Sequence, residues 1–148
     1  MELSGHILYR IRALRDISRY GVKANELGGW IEKEENLSHD GDAWISGEAK
    51  VFGNAQILDS ACVYDNAWVY DNARVFENAQ IYGNAQVWSS TQVYGNARVY
   101  DNARVFGNAQ VYGEAQVFGS AWVHDNCRVY GSAHVRSKAF LCGNQVLY

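Results

Sequence analysis

The chain has 148 residues, 48% apolar and 14% aromatic, with 20% charged and a formal net charge of −3. So aromatic a chain is not of disordered composition, although its sequence is repetitive. The acidic surplus is small and shared between residues 1–40 and 41–148, which gives no electrostatic basis for holding nucleic acid or an anionic membrane.

Three cysteines, Cys62, Cys127 and Cys142, are odd in number and have no metal-ligand spacing. They suit a reducing compartment better than a disulfide framework. The first twelve residues lack an apolar run of signal-peptide length, and no span reaches transmembrane length. The expectation is a soluble, cytoplasmic protein.

Residues 1–40 read as a short N-terminal cap. Ile7, Tyr9, Ile11 and Ala13 alternate with polar residues, predicting a strand with those four on one side. Asp16 to Tyr20 suits a short helical turn, and Leu27-Gly28-Gly29-Trp30-Ile31 reads as a Gly-Gly turn leading into a strand. The charged run Glu32 to Asn36 reads as a solvated loop.

From Gly41 to Tyr148 a six-residue unit recurs without a gap, as in Gly53-Asn54-Ala55-Gln56-Ile57-Leu58 and Gly107-Asn108-Ala109-Gln110-Val111-Tyr112. A fixed period of this kind marks a solenoid. Within each unit the last four residues alternate inside and outside. The position of Ile45, Val51 and Ile57 is aliphatic through Leu147, and the one two residues before it is alanine except at Thr91, Cys127 and Gln145. Small beside branched suits a narrow tube. Gly, Asp, Asn and Ser at the first two positions suit corners. Three corners per turn make an 18-residue coil, and 41–148 makes six of them.

This unit resembles the hexapeptide repeat of left-handed parallel β-helices. The Gly-Asn-Ala-x-Val-Tyr form, with the entry segment Leu27 to Ser38, is similar to bacterial and phage repeat proteins often labelled acyltransferases. The resemblance implies an all-β, left-handed triangular solenoid, assembly as a homotrimer, and, for enzyme members, a histidine base with acyl-coenzyme A held between subunits. Enzyme members often place glycine one residue after the aliphatic position; here an aromatic stands there.

Every third unit lands on one face. The second face collects Phe52, Trp68, Tyr70, Trp88, Phe106, Trp122 and Phe140, and a contiguous aromatic patch suggests an interface, although aromatics can also simply stack along the ladder. Leu147 and Tyr148 suggest tail-to-tail contact between two molecules. His124, beside Asp125, is the fallback catalytic base; no metal, P-loop or Ser-His-Asp motif is present. Corner use explains Asp59, Asp65 and Asp71 but not Glu77. Two functions remain open. The favoured one is a non-catalytic binding or assembly protein without cofactor, which in a phage setting could block or sequester a host factor. The alternative is an O- or N-acetyltransferase using acetyl-coenzyme A.

Overall fold

The computed structural model describes residues 1–137, 139–141, 143 and 146–148, the side chain of Phe140 excepted. The chain winds as a parallel β-solenoid of about six turns, each turn contributing one two-residue strand to each of three sheets. The aliphatic position and the residue before it form every such strand, from Trp44–Ile45 to Val146–Leu147. Each strand pairs with the strand 18 residues on: Gln86 lies against Arg104, and Val87 against Val105. The expected coil length and sorting into faces are therefore those of the fold.

The lining follows the expected small-beside-branched rule. Val51, Ile57, Val63 and their equivalents through Val129 are 0% exposed, as are the alanines from Ala49 to Ala121. Cys127 takes the alanine position without opening the core, and so does Thr91. Thr91, however, buries a hydroxyl whose Oγ1 has no partner among the described residues.

The corners explain the first two positions of the repeat. Every sixth residue from Gly47 to Gly143 has a positive φ, between 56° and 71°. The corner closes on itself and on the next coil. Ala55 N–H donates to the Phe52 carbonyl at 3.3 Å, and Asn54 N–H to the Asp71 carbonyl at 2.7 Å. Glycine adopts this φ freely, and aspartate tolerates it better than most residues.

The N-terminal segment meets the coils differently from the sequence expectation. Strands β1 (Glu2–Leu3) and β2 (His6–Ile7) form a hairpin, followed by β3 (Tyr9–Arg12) and β4 (Leu27–Ile31). The alternation ends at Leu8, which is 1% exposed, while Ile7 and Tyr9 face outward. The hairpin carries the chain through Leu8, so only Ile11 and Ala13 of the expected apolar row turn toward the core.

Strand β4 runs antiparallel to β3 and parallel to Lys50–Val51, extending the second face to eight strands. Gly28 and Gly29 lie inside this strand, not in a turn before it. A Cβ on Gly28 would come within 2.5 Å of the Ile45 carbonyl oxygen, and one on Gly29 within 2.5 Å of Ile45 Cγ2. Glycine is needed here because the strand crosses directly over the end of the tube.

Ile31 and Leu37 continue the six-residue spacing, aligned with Val51 and Ile57. Asn36, in the run read as a solvated loop, is 0% exposed. Its Oδ1 accepts from the N–H groups of Glu32 and Lys33, and its Nδ2 donates to the carbonyls of Gly53 and Ala55. It satisfies backbone at the mouth of the tube that no preceding coil could reach.

Replacing Thr91 by valine keeps the branched shape and removes the unpartnered hydroxyl. Thr91→Val should stabilise the fold by about 1–3 kcal/mol. This would be read as a higher urea midpoint; a lower midpoint would contradict the assignment.

Candidate functional site

The outward residues that follow each aliphatic position stack in three columns running along the axis. On the first face Tyr64, Tyr82, Tyr100 and Phe118 stack at 4.7–5.0 Å between ring centroids, within 4° of parallel. On the third, Phe76, Tyr94, Tyr112 and Tyr130 stack at 4.8–5.1 Å, within 8° of parallel. These distances are the strand spacing of about 4.8 Å, so the ladder itself sets each ring on its neighbour. Burial pushes the Tyr64 hydroxyl up to about 12 and raises those of Tyr70, Tyr82, Tyr94 and Tyr100.

The second face carries the longest column. Phe52, Tyr70, Trp88, Phe106 and His124 stack in sequence at 4.5–5.6 Å. His6 closes its lower end, 4.9 Å from Phe52 and tilted by 50°. Rings stacked along the axis turn their edges outward. Trp68 and Trp122 stand across the column instead, at 73° to Phe52 and 76° to Phe106. Lys50 Nζ lies 5.8 Å from the Trp68 ring and Arg104 Cζ 5.2 Å from the Trp122 ring, within cation–π range.

Of the aromatic residues expected at an interface, Phe52 is buried within the chain, and Trp68, Tyr70, Trp88, Phe106 and Trp122 are half-buried. The side chain of Phe140 lies outside the described residues, as does Cys142. Leu147 and Tyr148, expected to meet a second molecule, are 37% and 82% exposed. Trp44 and Cys62 also point out of the tube but are each 5% exposed. Tyr20 lies beside them and donates to the Ser60 carbonyl, and Arg19 reaches Asn78 Oδ1 at 2.8 Å. Burial pushes the Cys62 thiol up to about 12, which leaves it inert as a nucleophile.

His124 Nδ1 lies 3.3 Å from Asp125 Oδ1. The same carboxylate accepts the N–H of Gly143 at 3.1 Å, and these two bonds, the backbone one first, hold it below the usual aspartate range. His6 forms an equivalent pair at the other end, 2.9 Å from Glu32. Glu32 is held low first by His6 and then by the Gly53 N–H. Sequence reading did not find the His6 pair, because 26 residues separate the partners.

The acidic corners have a structural use that also explains Glu77. A corner carboxylate reaches the N–H of the corner in the next coil: Asp59 takes that of Glu77, Asp65 that of Gly83, and Asp101 that of Gly119. Glu77, at φ 57°, takes the N–H of Gly95 at 2.7 Å. Glu32 performs the same service for Gly53 from the cap. A Cβ on Gly53 would lie 3.1 Å from Asp71 N, so a side chain leaving such a corner is already aimed at that donor.

Among the described residues no group of three or more His, Cys, Asp or Glu side chains could hold a metal ion. Nor is any helix there long and apolar enough to cross a membrane. The family model described as "YdcK Beta solenoid repeat" matches residues 79–95, 91–105, 97–113 and 109–125. The starts of these matches differ by multiples of the hexapeptide. The similarity is thus to a β-solenoid repeat, over the middle coils. No curated protein matches the chain.

Glu32 and Glu48 tie the cap to the coils, Glu48 through Arg10 and the Trp30 indole. Both are held below their ordinary value of 4.5. A depressed carboxyl adds stability that is present above the ordinary value and lost as pH falls through the lowered one. The thermal midpoint should therefore drop as pH falls below 4.5. Glu32→Gln combined with Glu48→Gln should start lower at neutral pH and drop less, whereas parallel curves would contradict the coupling.

Proposed function

We propose that the chain is a rigid, non-catalytic scaffold that assembles as a homotrimer through its second face and presents its other aromatic columns to a protein or small-molecule partner. The observation that carries this reading is the pair Trp68 and Trp122, two indoles on one face that stand across its stack with a cation over each ring. Aromatic residues of this kind are enriched at interface centres. The constant 18-residue register supports a scaffold as well, since it makes each face straight and fixes the spacing of whatever it displays.

Trp68→Lys with Trp122→Lys leaves the stacked rings in place. The expected outcome is a fall in mass by light scattering from three times 16.6 kDa to 16.6 kDa, with unchanged circular dichroism. A wild-type mass of 16.6 kDa, or a mass the double variant leaves unchanged, would overturn the trimer.

One observation favours the second reading, an acyl-coenzyme A-dependent O- or N-acetyltransferase. His124 has a carboxylate 3.3 Å from its Nδ1, the arrangement that orients a general base. The resemblance supplies acetyl-coenzyme A as the cofactor in that case. On the scaffold reading, titration with acetyl-coenzyme A gives no saturable binding. Saturable binding that is lost in His124→Ala would replace the scaffold with the enzyme.

A further inference from the structure

A cavity of about 210 Å³ opens at the N-terminal mouth of the solenoid. It lies between the end of β3 with the loop after it, Ile11 to Ile17, and the segment Glu34 to Trp44 that enters the first coil. Its walls are apolar: Ile17, Leu37, Ala43 and Trp44 are each less than 9% exposed. An apolar cavity of about 150 Å³ is enough to take up benzene, so this one has room for a larger apolar group.

The rim is charged. Arg12, Arg15 and His39 line it against a single carboxylate, Glu34. Arg15 is committed to the Gly41 carbonyl at 2.6 Å and to Asp42 Oδ1 at 3.2 Å. Arg12 uses Nη1 on the Asn25 carbonyl at 2.8 Å, one of the five N–H donors a guanidinium carries. An apolar floor under an arginine with donors to spare is built for an apolar body ending in an anion.

We propose that this cavity binds a small apolar carboxylate, its hydrocarbon part against Leu37, Ala43 and Trp44 and its carboxylate on Arg12. The proposal is independent of the scaffold reading, because none of the aromatic residues assigned to the trimer interface lines the cavity. It also gives the cap a use besides closing the tube: the ligand would join cap to first coil.

Octanoate is the probe, with octylamine and octan-1-ol as isosteric controls, followed by calorimetry on the full chain. Saturable one-to-one binding of octanoate, weakened about tenfold in Arg12→Gln by loss of a charge-assisted hydrogen bond, is the expected result. Ala43→Leu should abolish it by filling the floor. Should that variant fail to fold, the comparison of ligands in wild type and Arg12→Gln decides alone. No octanoate binding, or binding of octan-1-ol or octylamine at least as tight as that of octanoate, would overturn the proposal.

Discussion

The structure depends on one constraint: each residue of a coil must find its backbone partner 18 residues away. A strand of two residues has almost no stability of its own. It persists because the coils on either side hold it, Gln86 for example lying between Trp68 and Arg104. That requirement fixes three corners per coil, and every corner must turn through a positive φ without adding length. From Gly47 to Gly143, whatever the corner residue, its φ stays between 56° and 71°. An error of one residue would turn the valines of the following coil outward, so the register admits no gradual failure.

The outward features are consequences of the same spacing. Rings stack because the ladder sets them about 4.8 Å apart, and corner carboxylates bond forward because the next coil's N–H lies where a corner Cβ points. Neither arrangement requires a partner molecule. The features that the ladder does not explain are therefore the informative ones. They are the choice of tryptophan at 68 and 122, in a row that also carries Lys50, Gln86 and Arg104, and the cavity at the mouth, which no repeat generates.

Most of the coil region was legible in the sequence because periodicity reports register directly. The lining, the coil length and the three faces all follow from where Ala and Val recur. The cap was not legible in the same way, since its contacts join residues far apart and few of them repeat. Nothing local distinguishes Asn36 from the exposed glutamates before it, yet it is the plug of the tube. Gly28-Gly29 carries the ordinary signature of a turn, and only the nearness of Ile45 shows that it is a packing requirement. Glu77 is foreign to a corner by residue type, and only its bond to the next coil accounts for it. The spacing of Ile31 and Leu37 was the available sign that coiling begins inside the cap, obscured by the eight residues that separate Leu37 from Ile45.

The role of the 18-residue period is tested most directly by the thermal stability of two internal deletions. Removing residues 83–100 takes out one whole coil and returns every following residue to an equivalent place. The shortened chain should fold with the same circular dichroism and a modestly lower midpoint. Removing residues 83–91 cuts the coil in half and brings corner residues into strand positions, so it should abolish the cooperative transition. Equal tolerance of the two deletions would contradict the account.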